Sequence, residues 1–160
     1  MDAGQQRARG ERPPVTVRSY RRDDYGQVFS LWERSGLWMR PSDGEQAVAL
    51  KLGRDPDLFL VACDDERVVG VVMGGWDGRR AYIYHLAVDP DRRRQGVGDL
   101  LMDELEALLR AKGAVKAKLQ ILAGNDESAA FFAARGYTIE APCVPWGKEL
   151  VPGGAPAERE

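Results

Sequence analysis

The sequence predicts an α/β domain in which a mixed, mostly antiparallel sheet is flanked by helices. Three observations support this: apolar runs at strand period, amphipathic runs at helix period, and a helix that separates two of the later strands. The predicted order is β, α, α, β, β, β, α, β, α, β, β. At 160 residues the chain fits one domain, placed over 15–150, with flexible tails predicted at 1–14 and 151–160, where apolar residues are scarce.

The first part of the domain contains a strand and two helices. Val15–Tyr20 alternates β-branched and polar residues, as is typical of a strand. Asp23 or Asp24 can cap the helix that follows, and Gly36 is expected to end it. The turn 41–44 then predicts the start of a second helix.

From Leu58 the pattern changes to three apolar strands joined by two polar turns, which predicts an antiparallel meander. The second turn contains Asp77-Gly78, a hairpin signal. An amphipathic helix over 99–112 leads to an alternating strand near 115–121, and a helical crossover of this kind makes its two strands parallel. The remaining predicted elements are a helix over 126–135 and two strands near 137–140 and 144–150.

Composition and charge exclude several classes of function. The 23 Lys and Arg residues nearly balance the 25 Asp and Glu, so the net charge of −2 provides no bulk attraction for nucleic acid or an anionic membrane. Two cysteines and a single histidine cannot form a Cys/His metal cluster within one chain. No apolar run reaches the roughly 18 residues of a spanning helix, and the first residues contain no signal-peptide core. These features favour a reducing cytoplasm.

The most informative segment runs from Leu86 to Asp99, where a strand enters a basic turn and then a helix. Gly96 and Gly98 allow successive backbone N–H groups to point inward, and the first helical turn adds free N–H donors. The arginines at 92–94 add positive charge. The segment therefore predicts a phosphate site, although neither GxxxxGK[ST] nor GxGxxG is present.

Two linked motifs resemble those of the GNAT superfamily of N-acetyltransferases. The first, Arg93-x-x-Gly96-x-Gly98 after Leu86-Ala87-Val88, is similar to the acyl-coenzyme-A-binding motif of that family. The second, Asn125-x-x-Ser128-x-x-Phe131-Phe132-x-x-x-Gly136-Tyr137, is similar to the family's next helix. The resemblance spans about residues 15–150 and looks closest to small bacterial members.

The resemblance implies an enzyme that transfers an acetyl group directly from acetyl-coenzyme A to a primary amine of a small molecule or a protein. It also implies that the strands ending near Val88 and Ile121 splay apart, with the pantetheine arm between them. No metal ion is implied. The residues that it assigns to the acyl donor are Leu86, Ala87, Val88, Arg93, Arg94, Gln95, Gly96, Val97, Gly98, Asp99, Asn125, Phe131 and Phe132.

The resemblance also implies a set of candidate catalytic groups. The resemblance aims the Val88 N–H at the thioester carbonyl, where one fixed donor is typically worth about 10²–10³ in rate. It also makes Tyr82 and Tyr84 candidates for holding a water or a proton, and Glu33 for binding a water or the amine. Strict alternation would place both tyrosines on one face of their strand and His85 on the other. Because His85 has no carboxylate partner nearby in sequence, we expect it to be a packed or edge residue.

Phe132 departs from the family's pattern, which often has a tyrosine here that is thought to protonate the departing thiolate. A phenyl ring has no proton to give, so either water or a neighbouring tyrosine such as Tyr137 supplies it, or the reaction is slower than in members that have the tyrosine. The same departure motivates an alternative function, a non-catalytic acyl-coenzyme-A-binding sensor or interaction module. The identity of the amine stays open, and a homodimer through exposed strand edges is a further expectation.

Overall fold

A computed structural model describes residues 14–151 and 153, which form a sheet with helices on both faces. Except for Pro14, Val151 and Gly153, the predicted tails lie outside the described residues. The strands are β1 (Val15–Ser19), β2 (Phe59–Asp64), β3 (Arg67–Trp76), β4 (Ala81–Val88) and β5 (Ala117–Lys118). The helices are α1 (Tyr25–Arg34), α2 (Glu45–Arg54), α3 (Val97–Ala111) and α4 (Asp126–Ala134), with short 3-10 turns at Arg22–Asp24, Pro41–Asp43 and Pro90–Arg92.

The sheet order β1-β2-β3-β4-β5 follows the chain. The first four strands pair antiparallel, and β4 pairs with β5 in parallel. The predicted meander and the predicted parallel pair are both confirmed, because hairpins reverse the chain whereas the α3 crossover returns it to its original direction.

Two apolar cores lie on opposite faces of the sheet. Side chains of α1 and α2 cover one face and include the buried Trp32 and Val48. The other face packs against α3, which approaches β3 so closely that a side chain at Gly70 or Gly74 would clash with it: a Cβ at Gly74 would lie 2.5 Å from Leu105 Cδ1. Helices α1 and α3 therefore each bury one apolar stripe against the sheet, as their sequence period predicts.

Asp24 precedes α1, as predicted, but its carboxylate does not cap that helix. It accepts two hydrogen bonds from the Arg18 guanidinium, at 2.7 and 2.8 Å, and a third from the Arg21 N–H. Burial alone would raise the pKa of Asp24, but the Arg18 guanidinium and the Arg21 N–H more than offset it, so this pKa lies below its ordinary value. The residue joins α1 to β1.

The two final predicted strands, near 137–140 and 144–150, are wrong: neither segment forms a strand in the structure. Pro145 removes an N–H donor within the second segment and Pro142 removes one between the two segments, which disfavours a regular ladder there. The apolar side chains that suggested strands face solvent instead, and Ile139 and Trp146 are both more than 90% exposed, at 95% and 93%.

Candidate functional site at the divergence of β4 and β5

The β4–β5 pair opens soon after it starts. Only Ala81 and Tyr82 pair with β5, opposite Ala117 and Lys118, so the predicted strand over 115–121 is reduced to two residues. From Ile83 onward, β4 has no ladder partner on this side among the described residues. Backbone polar groups along this edge can therefore pair with a ligand.

The turn between β4 and α3 places backbone N–H groups at the end of this opening. Gly96 precedes α3 with φ of 80°, a left-handed conformation that suits glycine, and Arg94 is also left-handed at φ 58°. A left-handed non-glycine residue is uncommon and costs about 1–2 kcal/mol. Together with the free N–H groups of the first turn of α3, this turn over residues 89–96 can bind an anion, and we call it the anion turn.

Gly98 lies in the first turn of α3, next to Phe131 of α4. A Cβ at Gly98 would lie 3.2 Å from the Phe131 ring and 3.8 Å from Val88. Phe131 therefore borders the anion turn, whereas Phe132 is buried and packs edge-on against Phe131 and Tyr137. The structure thus brings only the first of the two predicted aromatic residues to the turn.

The side chains around the turn differ in their availability for a ligand. Arg93 is 40% exposed and lies 3.8 Å from a Glu127 carboxylate oxygen that is itself mostly exposed, so this pair is weak. Arg94 is exposed. The Asp99 carboxylate pairs with Arg135 at 2.8 Å, which leaves the backbone N–H of Asp99 as its group for the site.

Asn125 caps α4, as its place before that helix suggests. Its side-chain oxygen accepts a hydrogen bond from the Ser128 N–H at 3.1 Å. Such a cap is worth about 1 kcal/mol, and the side-chain NH₂ group stays available as a donor.

The end of β4 distributes its side chains over both faces. Leu86 and Val88 pack against the core that contains α3, whereas Ala87 is buried in the core that contains α1 and α2. The next residue, Asp89, is almost fully buried and accepts hydrogen bonds from Arg34, Arg67 and the Asp91 N–H. Asp89 thereby attaches α1 to the strand that borders the opening.

A β-bulge in β4 overturns the predicted side-chain alternation. Val71 is opposite Ala87 and Met73 is opposite Tyr84, so two residues of β4, His85 and Leu86, face one residue of β3. His85 takes up the extra residue with φ of 50°. Its side chain consequently points to the α1 side, where its ring meets Trp32 edge-on at 5.2 Å.

The two predicted tyrosines lie on the same side as His85. A Cβ at Gly75 would lie 3.4 Å from the Tyr84 ring and 3.8 Å from Lys51 of α2, and the rings of Tyr82 and Tyr84 stack at 6.0 Å. The prediction that His85 and the tyrosines face opposite sides is therefore wrong. Burial and the neighbouring Tyr82 raise the pKa of Tyr84, so Tyr84 stays protonated at neutral pH and its hydroxyl can donate a hydrogen bond.

His85 also has a carboxylate partner that the sequence did not indicate. Its Nε2 lies 2.7 Å from Asp43 Oδ1, although 42 residues separate the two. Asp43 is 5% exposed and its other carboxylate oxygen accepts the Arg40 N–H at 2.7 Å. In the sequence, Asp43 has the pattern of an ordinary turn residue before a helix, and that pattern carries no signal of this contact.

Glu33 and Tyr137 have different surroundings. Glu33 is exposed on α1, and no ion pair is found for it among the described residues. The Tyr137 hydroxyl donates to Glu106, and burial followed by the Glu106 charge raises the pKa of Tyr137. Glu106 lies eight residues, or about 12 Å, along α3 from Gly98, so this hydroxyl is remote from the anion turn.

Neither a metal centre nor a spanning helix is found in the described part of the chain. No group of three or more His, Cys, Asp or Glu residues there is arranged to hold a metal ion. None of the helices within residues 14–151 combines the length and the hydropathy needed to cross a bilayer.

The mixed sheet, its diverging parallel pair and the glycine-bearing turn at a helix N-terminus define the class as an acyl-coenzyme-A N-acyltransferase fold. Residues 17–137 match the model of the acetyltransferase (GNAT) family, and the chain belongs to this family. It is 40% identical over 138 residues to acetyltransferase ECA0875 of Pectobacterium atrosepticum and 38% identical over 137 residues to acetyltransferase SG1711 of Sodalis glossinidius. Each alignment covers 86% of this chain and 96% of the relative.

Solved structures agree with this assignment. Ard1 from Thermoplasma volcanium is 27% identical with a TM-score of 0.73, covering 79% of this chain and 84% of that protein. PaiA N-acetyltransferase from Thermoplasma acidophilum, solved in complex with coenzyme A, has the same fold at 18% identity, with a TM-score of 0.73 and coverage of 79% and 91%. The recognition of the family, the fold class and the acetyltransferase function predicted from the sequence are confirmed.

Proposed function

We propose that this acetyltransferase takes its acetyl group from acetyl-coenzyme A, bound in the opening between β4 and β5, and transfers it directly to a primary amine. The observation that carries the proposal is the unpaired edge of β4, which ends at the anion turn. The amide groups of a pantetheine arm can extend the sheet along that edge, and the diphosphate can accept N–H donors at the turn.

The residues of the site fit such a donor in chemistry and in position. Backbone groups of Leu86 and Val88 line the edge, and the backbone of 93–99 surrounds the turn. Arg93 and Arg94 supply exposed positive charge for the phosphates, and Phe131 offers an apolar ring beside Gly98. No step of this assignment requires a metal ion.

For catalysis we assign separate tasks to the chain's own groups. The Val88 N–H stabilises the charge that develops on the thioester oxygen, a task in which one backbone donor is typically worth about 10²–10³ in rate. We place the amine acceptor on the side of the sheet that α1 and α2 cover, and call it the acceptor side. There Tyr84, protonated at neutral pH, donates a hydrogen bond to the acceptor, and Tyr82 is stacked on Tyr84. Glu33 serves as an exposed carboxylate that attracts the ammonium form of the acceptor from solvent.

Thiol release tests the proposal. The purified chain is mixed with acetyl-coenzyme A and a panel of peptides with free amino termini, free lysine, polyamines and arylalkylamines, and product masses are read before and after. We expect release that depends on one class of amine and a mass gain of one acetyl group. Binding of acetyl-coenzyme A without acceptor-dependent release would favour the non-catalytic sensor, which Phe132 motivates because it lacks the tyrosine hydroxyl.

A matched pair of variants tests the location of the donor site. Gly96→Glu adds negative charge where the phosphates bind, and we expect it to abolish coenzyme A binding in calorimetry. Gly78→Glu makes the same change at another left-handed glycine, with φ of 90° in the β3–β4 turn. Both glycines are left-handed, and at neither would an added Cβ have a neighbour within 4 Å. The two variants therefore carry similar backbone strain and no steric clash at Cβ. Retained binding in Gly96→Glu, or equal loss in both, would refute this location.

We further propose that the enzyme works in the cytoplasm as a homodimer, with neither nucleic acid nor a membrane as partner. The balanced charge of the chain and the open edge of the two-residue β5 support this. Sedimentation at several protein concentrations tests the dimer, and a monomer at all of them would contradict it.

A further inference from the structure

The contact between His85 and Asp43 has no task in the function proposed above. His85 is the single histidine of the chain, its side chain is 22% exposed, and its backbone belongs to the unpaired edge of β4. We propose that His85 is the general base that removes a proton from the amine acceptor, with Asp43 as the residue that positions it. This inference rests on the proposed function, since it names the proton acceptor of that reaction.

The backbone brings the imidazole to the acceptor side. His85 directly precedes Leu86, the first residue of the strand end that we assign to the thioester. Without the bulge, alternation would direct the histidine into the α3 core beside Ile83. With φ of 50° at His85, the ring lies with Tyr84 on the α1 side instead.

The contacts of the ring select its tautomer. The Asp43 carboxylate already accepts the Arg40 N–H through one oxygen, and it accepts from His85 Nε2 through the other, so Nε2 carries the hydrogen. Nδ1 then keeps its lone pair, and no partner for Nδ1 is found among the described residues. The edge contact with Trp32 fixes the plane of the ring. The arrangement resembles the use of a buried carboxylate to orient an imidazole base.

The proton balance is complete with this base. The ammonium form of the acceptor gives one proton to His85 Nδ1, which passes it to solvent, and the neutral nitrogen attacks the thioester carbon. The carbon–sulfur bond breaks with its electron pair on sulfur, and the second proton lost by the nitrogen goes to the thiolate. One acetylated amine, one thiol and one proton are released.

Two cationic side chains of the helices around His85, Lys51 and Arg34, have carboxylate partners other than Asp43. Tyr25 donates to the Asp43 carbonyl, Lys51 pairs with Asp55, and Arg34 pairs with Asp89. The charged and titratable groups on the elements around His85 are Tyr25, Glu33 and Arg34 of α1, Arg40 and Asp43 at the 3-10 turn, Glu45 and Lys51 of α2 with Asp55, and Tyr82, Tyr84 and Asp89 at β4.

His85→Asn tests the base, because asparagine tolerates a left-handed backbone but cannot accept the proton. On the amine that responds best in the panel, we expect kcat at pH 7 to fall by about 10²-fold or more, while KM for acetyl-coenzyme A stays within twofold. The difference in kcat between His85→Asn and the wild type should shrink at high pH, where the amine loses its proton to solvent. Asp43→Asn should give a smaller loss, since an amide holds the imidazole less firmly.

A spectroscopic readout separates this role from a structural one. In untagged protein labelled with ¹⁵N-histidine, a single imidazole gives the signals, and we expect the neutral ring to carry its hydrogen on Nε2 and not on Nδ1. Asp43→Asn should mix the two tautomers. A neutral ring with its hydrogen on Nδ1 in the wild-type protein would overturn the assignment.

The kinetic outcomes distinguish the two proposals. Acetyl transfer with an unchanged kcat and pH profile in His85→Asn would overturn the base and leave the proposed function standing. Absence of transfer to every amine in the panel would remove the proposed function and the base together. A fall in kcat that matches a fall in thermal stability at all pH values would assign His85 a structural role and overturn the base.

Discussion

One inserted residue in β4 decides which side chains meet at the candidate site. Strand alternation predicts that His85 follows Ile83 and Ala87 onto one face, but the structure places Ile83 in the α3 core and Ala87 in the opposite core. The left-handed conformation of His85 accounts for the change of face. A one-residue bulge leaves no mark on the apolar pattern, so it could not be anticipated.

At the same scale, Phe132→Tyr tests whether the missing hydroxyl limits turnover. The side chain is 8% exposed and its ring is surrounded by those of Phe131 and Tyr137. We expect turnover to stay unchanged or to improve, because a phenol adds a proton donor without removing a contact. Steady-state kinetics and calorimetry with coenzyme A provide the measurement. A clear loss of turnover with intact coenzyme A affinity would assign the apolar ring a role of its own.

At the scale of elements, the contact of α3 with α4 shapes one side of the opening. The Arg135 guanidinium binds Asp99, Asp103 and Glu106 of α3, and Phe131 covers Gly98. Four contacts therefore hold α4 on α3 next to the anion turn.

Gly98→Val should disturb this contact, because its side chain would meet the Phe131 ring, already 3.2 Å from a Cβ. We expect a loss of about 1–3 kcal/mol in unfolding free energy and weaker coenzyme A binding. Gly26→Val is the matched control: Gly26 is likewise the second residue of its helix, and nothing lies within 4 Å of its added Cβ. Equal effects of the two substitutions would mean that α4 does not support the turn.

Asp89 links α1 to the end of β4, and its replacement tests that link. Burial alone would raise the pKa of Asp89, but the Asp91 N–H and the guanidinium groups of Arg34 and Arg67 more than offset it, so this pKa lies below its ordinary value. We expect Asp89→Asn to cost about 1–3 kcal/mol in denaturant unfolding. Asp57→Asn, which breaks an exposed pair with Lys112, should cost at most about 1 kcal/mol. An equal cost for both would contradict the link.

For the whole molecule, two of the buried aspartates, Asp24 and Asp89, predict how stability depends on pH. Asp24 and Asp89 both have a folded pKa below the ordinary value, so the unfolded chain binds more protons in the acid range. Their stabilisation is complete above the ordinary aspartate pKa of about 3.9 and is lost as pH falls through the folded values. We expect the urea midpoint to change little from pH 7 to pH 5 and to fall below about pH 4.

The loss of stability at acid pH has its own control. The double variant Asp24→Asn, Asp89→Asn should be less stable at pH 7 and should show a flatter fall in midpoint below pH 4. Wild-type stability that stays level or rises in that range would contradict the assignment of these two carboxylates.

Local chemistry, contained in the sequence, determined most of the architecture. The period of apolar residues located the cores, the hairpin signal and the crossover set the strand directions, and the spacing Arg93-x-x-Gly96-x-Gly98 marked the glycine-bearing turn before α3. Each of these depends on neighbours within a few residues, which a sequence displays directly. The failed strand near 144–150 also contained a local signal against a regular strand, Pro145, which the apolar pattern outweighed.

Only the tertiary structure decided which distant groups meet. Asp43 reaches His85 across 42 residues, and the bulge turns His85 toward it. It also decided that Phe131, and not Phe132, borders the turn, and that Tyr137 gives its hydroxyl to Glu106. Such contacts depend on the packing of α1, α2 and α4 against the sheet, and that packing is a property of the assembled chain.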